Sequence, residues 1–127
     1  GICPEGWHVP RRAEVETLVE AAGGDDFAGK ALKATSTWSD YENNGKVYGN
    51  GTDATGFTGY STGTCSGSSS EPYCNYDGMY THMWTITENY SGNQAYYFGL
   101  LWMGNGVTLL NGDKRDYKNL RCVQDED

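Results

Sequence analysis

Between Arg12 and Ala22 the apolar residues Val15, Leu18, Val19 and Ala22 stand at i, i+3, i+4 and i+7, with Glu14, Glu16 and Glu20 between them. This spacing predicts an amphipathic helix with one buried face, opened by Pro10 and stopped by Gly23-Gly24. Arg11 stands at the cap position and offers no side-chain oxygen, and its charge opposes the helix dipole, so the first turn is expected to fray. Asp25 and Asp26 can cap a second, shorter helix ending near Ala34, in which Phe27, Ala31 and Leu32 would face the core.

The period then changes. From Ser39 to Tyr80 Gly, Asn, Ser, Thr, Asp and Tyr dominate, with turn signals at Asn44-Gly45, Asn50-Gly51 and Asp77-Gly78, which predicts a long irregular loop region. The last third reads as strands over 83–87, 95–103, 107–110 and 120–123. Ser91-Gly92-Asn93, Gly104-Asn105-Gly106 and Asn111-Gly112-Asp113 separate them, and such short connections imply antiparallel pairing. The fold class is therefore α+β in a single domain over 1–127.

Composition adds a need for covalent support, since only 37% of the 127 residues are hydrophobic and 18 are Gly. The four cysteines have no C-x-x-C spacing and neither His8 nor His82 lies at metal-ligand spacing from them, which favours disulfides over zinc. Three pairings are possible. Cys3 with Cys122 is expected because they bracket the chain, and Cys65 with Cys74 because both lie in one Gly/Ser-rich stretch. The long bridge would contribute about 4 to 5 kcal/mol and the short one about 2 to 3 kcal/mol in the chain-entropy view. Such bridges imply an oxidising compartment, secreted or at the cell surface. The net charge of −8 without a basic run argues against nucleic acid, and no apolar run is long enough for membrane insertion. The chain is read as a mature or excised domain of a longer exported protein.

Five segments, in order, carry a resemblance: Ile2-Cys3-Pro4-Glu5-Gly6-Trp7-His8-Val9-Pro10, the stretch from Ala28 to Trp38, Gly51 to Phe57, Trp84 to Glu88, and Leu120-Arg121-Cys122-Val123. Together they resemble the Fibrobacter succinogenes major paralogous domain family. The resemblance implies a bacterial extracellular module with a C-type-lectin-like fold. It also implies that Tyr96, Phe98 and Leu100 form the inward row of the long strand, leaving Tyr97, Gly99, Leu101 and Met103 on the opposite face. Trp102 follows the inward row unless a bulge reverses it.

On that basis the candidate ligand surface is Asn89, Tyr90, Asn93, Tyr97, Leu101, Trp102, Met103 and Asn105, with one of Leu109 or Leu110. Aromatic area mixed with Asn and Ser makes an adaptable contact surface, and such folds present ligand sites on these late strands and the preceding loop. Tyr41, Tyr48, Tyr60, Tyr73, Tyr76 and Tyr80 in the loop region suit sugar stacking, but anchoring of the loop is the stronger reading for most of them. Calcium is a possible cofactor through Glu88-Asn89 with Asp40, Glu42, Asn43, Asn50 and Asp53 as oxygen donors, although the lectin signatures for it are absent and the resemblance makes Glu88 a buried fold residue. No nucleophile, paired-carboxylate or phosphate-loop signature is present, so no catalysis is expected. The expected function is a non-catalytic binding or adhesion module for a protein or glycan on another surface. The alternative is a structural module packing against neighbouring domains of the same chain.

Overall fold

The computed structural model describes residues 1–66, 73–75 and 77–126. It is an α+β arrangement of two short helices and several small antiparallel sheets. The chain opens with β1 (Trp7–His8), which pairs antiparallel with the final strand β9 (Val123–Gln124), and beside them Cys3 is bonded to Cys122. The bracket read from the two terminal motifs is thus a physical closure of the fold.

Helix α1 (Arg12–Ala21) buries Val15 and Val19, as its period predicts. Its first turn has no Arg11 side-chain cap and is held instead by one local and one tertiary hydrogen bond. The Arg11 N–H donates to Glu14 (2.9 Å), and the Arg12 N–H donates to the Thr87 hydroxyl (2.9 Å). Helix α2 (Ala28–Leu32) buries Ala28, Gly29 and Leu32. Phe27 is 68% exposed, which corrects its inward assignment, and no Asp caps the helix. The reason is a close approach: a Cβ on Gly29 would stand 2.3 Å from the Gly106 carbonyl, so the small residues Ala28 and Gly29 face the protein and Phe27 is turned out.

The loop region is more ordered than its composition suggests. Asn44-Gly45, both at positive φ, closes a hairpin of β2 (Tyr41–Asn43) and β3 (Lys46–Tyr48). Cys65 and Cys74 bond across β4 (Thr64–Ser66) and β5 (Tyr73–Asn75). Tyr76 and the side chain of Tyr73 lie outside the described residues. The 50–59 segment is bound to the end of α2, with Gly51, Thr52 and Asp53 N–H groups donating to the carbonyls of Ala34, Lys30 and Lys33. Trp38 is buried and donates its indole N–H to the Gly59 carbonyl at 2.9 Å.

The main sheet is β6 (Tyr80–Glu88), β7 (Gln94–Leu101) and β8 (Val107–Asp113), antiparallel in that order. Its inner face carries Met83, Phe98 and Leu100 against Val15, Val19, Leu32 and Trp38, and this cluster is the core. Thr81 and Thr85 are also buried, and each hydroxyl is satisfied, by Thr62 and by the Tyr96 carbonyl.

Candidate functional site

The opposite face of this sheet is built from the alternate residues of the same strands. Tyr80, His82 and Trp84 on β6 lie directly across from Leu101, Gly99 and Tyr97 on β7, and Tyr97 lies across from Leu110 on β8. Leu109 pairs with Phe98 on the inner side, so Leu110 is the outward one of the two. Rings on this face touch in sequence. Trp84 is edge-on to Tyr97 (6.1 Å between centroids), Tyr97 lies 4.7 Å from His82, His82 lies 5.7 Å from Tyr80, and Tyr80 is edge-on to Trp102 at 5.3 Å. Trp102 then meets Tyr41 edge-on at 5.9 Å, and Tyr41 meets Tyr48 at 6.4 Å. Edge-to-face and tilted contacts at these separations are the geometries that aromatic quadrupoles favour.

Two glycines make the ladder possible. A Cβ at Gly99 would stand 2.7 Å from the Thr108 hydroxyl and 3.0 Å from the His82 ring. At Gly112 it would stand 3.1 Å from both Lys118 and the Tyr97 ring. The rings therefore lie down on bare backbone instead of standing off the sheet. Lys118 Nζ sits 4.1 Å from the Tyr97 centroid and 5.1 Å from that of Trp84, a cation shared by two rings.

This environment reshapes the local titrations. Burial, with Lys118 nearby, pushes His82 down to about 4, so it is neutral in the folded protein near neutral pH. Burial raises the Tyr97 phenol, with Asp116 adding to it, and burial lowers Lys118 against the opposing pull of Asp116.

The turn carrying Trp102 is fixed from beneath. Lys33 is 1% exposed and donates its ammonium to the carbonyls of Leu101 (3.1 Å) and Gly104 (3.0 Å), with the Trp38 ring 5.3 Å away. Burial lowers it to about 8, with Lys30 adding to the effect. Lys33 has no carboxylate partner among the described residues, and these two carbonyls satisfy its ammonium instead.

The ligand residues expected from sequence fall into two groups. Tyr97 and Leu101 lie on the outer face, Trp102 packs against the core as the inward row implies while its ring also meets Tyr80, and Met103 beside it is exposed. Asn105 shares that turn, where its carbonyl accepts the Lys30 N–H at 3.3 Å. Asn89, Tyr90 and Asn93 lie at the other end of β7, an eight-residue strand, hence roughly 25 Å away. There Ser91 donates toward both Asn89 and Asn93, and Tyr90 is fully exposed. His82, Trp84 and Lys118 lie outside the expected set, and Tyr80 enters it only as one of the loop tyrosines. The strict alternation of Tyr80, His82 and Trp84 with Thr81, Met83 and Thr85 is the signal that finds these three rings.

Three of the oxygen donors considered for calcium have separate partners. Asp53 accepts the N–H and hydroxyl of Thr58 (both 2.7 Å), Asn50 accepts the Trp38 N–H, and Glu88 is exposed and pairs with Lys114 at 2.6 Å. The buried placement of Glu88 is thereby corrected. Among the described residues no group of three or more His, Cys, Asp or Glu side chains is arranged to hold a metal.

The second histidine belongs to the terminal closure. His8 places Nδ1 2.5 Å from Asp125 and Nε2 2.9 Å from Glu14, and these carboxylates, Asp125 first, raise its pKa above the usual value. Burial alone would raise Glu14, but the Arg11 N–H and His8 outweigh it and hold the carboxyl low.

The two disulfides and the tied termini make this a disulfide-bonded module, the bridges point to an extracytoplasmic protein, and no helix among the described residues is long and apolar enough to cross a membrane. The chain belongs to the Fibrobacter succinogenes major domain family, which it matches over residues 1–124. No curated protein and no solved structure gives a significant match.

Proposed function

We propose that this domain is a non-catalytic ligand-binding or adhesion module, secreted or displayed at a bacterial or phage surface, that contacts a glycan or protein through the outer face of β6, β7 and β8. The observation that carries this reading is the ladder of Tyr48, Tyr41, Trp102, Tyr80, His82, Tyr97 and Trp84. All seven rings are half-buried, so each keeps part of its surface open to solvent. A sheet face that only needed shielding from water would be served by polar side chains. Continuous aromatic surface with a neutral imidazole and a lysine offers stacking area for pyranose C–H faces and donors for hydroxyls. Exposed Met103 and Leu110 extend the apolar area at its margins.

The arrangement is read as C-type-lectin-like. Antiparallel pairing of the first and last strands, and the long loop region folded between α2 and β6, support that reading.

The test is binding of the purified domain to a glycan array and to intact bacterial and host cells, each with calcium and with a chelator, for the wild type and for Tyr97→Ser and Trp84→Ala. A glycan or cell signal that the two substitutions remove supports the reading. Absence of binding in every condition overturns it and favours a structural role, in which a neighbouring domain of the parent protein covers this face.

A further inference from the structure

A second surface lies at the sheet's open edge. On the β6 side the sheet is closed by Gly63, which bridges Thr81, by Asn119, whose carbonyl accepts the Trp84 N–H, and by Pro10, whose carbonyl accepts the Ile86 N–H. Strand β8 has no neighbour beyond it among the described residues. The Val107 N–H, directed away from β7, donates to the Asp25 carbonyl at 2.9 Å. Alternation along an antiparallel strand then turns the N–H and C=O of Leu109 and Asn111 outward as well. The β6 side agrees, because the Tyr96 carbonyl on β7 and the Trp102 N–H just past its end, in the same phase, bond to Thr85 of β6 and to Met79 just before it.

Beside this edge, between α1 and β8, runs a groove of about 570 Å³. Its apolar lining is Val15, Val19, Phe98, Val107 and Leu109, and its acidic lining is Glu16, Glu20 and Asp25. Arg12, also at the groove, is committed to Glu16 at 2.9 Å and to the Tyr96 ring at 4.2 Å. The carboxylates of Glu20 and Asp25 have no side-chain partner among the described residues.

We propose that the β8 edge is a strand-addition site for an extended, basic peptide segment of a protein partner. The segment's backbone pairs with Leu109 and Asn111, an apolar side chain opposite Leu109 enters the groove over Val15 and Val19, and a Lys or Arg two residues away on the Val107 side, away from Arg12, faces the Glu20 and Asp25 rim. Backbone pairing supplies affinity, the groove selects the apolar side chain, and the acidic rim selects the charge. This site is distinct from the aromatic ladder, which lies on the other face of the sheet.

The test uses heptapeptides randomised at the three groove-facing positions, selected on the intact domain. The expected result is enrichment of Lys or Arg flanking an apolar centre, with amide shifts at Leu109 and Asn111 and slowed hydrogen exchange there. N-methylation of the central peptide residue should weaken binding about tenfold or more, since it removes a ladder hydrogen bond and adds a clash. Asn111→Pro should do the same from the protein side, and Glu20→Lys with Asp25→Lys should reverse the charge preference. If Asn111→Pro perturbs folding, the N-methylated peptide on the wild type still decides. No enrichment, or shifts confined to the aromatic ladder, or indifference to N-methylation overturns the proposal.

Discussion

The two faces of one three-stranded sheet use the same backbone and reach opposite ends. On the inner face Met83, Phe98 and Leu100 are 5%, 4% and 0% exposed and are sealed by α1, Leu32 and Trp38. On the outer face Tyr80, His82, Trp84 and Tyr97 bury each other through tilted and edge-on contacts and stop halfway, with no helix among the described residues above them. Burial on the inner face is tertiary and complete. Burial on the outer face is supplied by neighbours in the same sheet, so it confers order while leaving ring surface available. Stability should therefore depend on the inner face, and binding on the outer.

The largest separation of the two should come from Leu100→Ala. It empties a fully buried position and is expected to cost about 2–5 kcal/mol in urea unfolding, while ligand binding under native conditions persists. A cost below that of an outer-face truncation would mean that the core lies elsewhere. Next is Gly99→Val, which forces side-chain atoms into the His82 ring and the Thr108 hydroxyl. About 1–3 kcal/mol should be lost, together with the near-ultraviolet signal of the ordered rings. Unchanged aromatic dichroism would show that the ladder does not rest on Gly99.

The histidines give a smaller, directional effect. His82 has its folded pKa at about 4, below the ordinary 6.5, so acid protonates the unfolded chain first. Stability from this group is present above about 6.5 and is lost as pH falls toward 4. His8 has its folded pKa raised, so its contribution is full below 6.5 and is lost as pH rises through the folded value. Urea midpoints across pH 4 to 8 should lose part of their acid-side slope in His82→Phe, the depressed Glu14 carboxyl keeping the rest, and part of their alkaline-side slope in His8→Gln. The same slope in both variants would show that neither histidine governs it.

Where sequence pattern and structure agree, a local period carries the information. Val15 and Val19 follow from the helical repeat, and the outward phase of Tyr97 and Leu101 follows from strand alternation once the family resemblance sets Phe98 and Leu100 inward. Where they part, a contact distant in sequence decides. Phe27 points outward because Gly29 must pass the Gly106 carbonyl, and the first turn of α1 is held by Thr87, 75 positions away. Lys118 reaches Tyr97 from an irregular segment with no period at all. Asn89 and Asn105 looked like one surface because they flank one strand, but the strand's own length separates them. The rings of β6 were legible, yet Trp84 read as part of a fold motif and Tyr80 as the end of a loop, which hid their common phase with His82.

The smallest expected change in stability is the most informative about function. Leu110 is 51% exposed on the edge strand, directly across from Tyr97, and makes no core contact. Leu110→Ser should shift the unfolding free energy by no more than about 0.5 kcal/mol. If a ligand covers the outer face, the same substitution places a hydroxyl against the rim of the contact and should weaken binding several-fold. If instead a neighbouring domain covers the face, neither wild type nor variant will bind glycans or cells, and the loss will appear only as looser interdomain packing in the longer parent protein. A large drop in the stability of the isolated domain would contradict both, because Leu110 would then have to be packed inward and the two faces of the sheet would have been assigned the wrong way round.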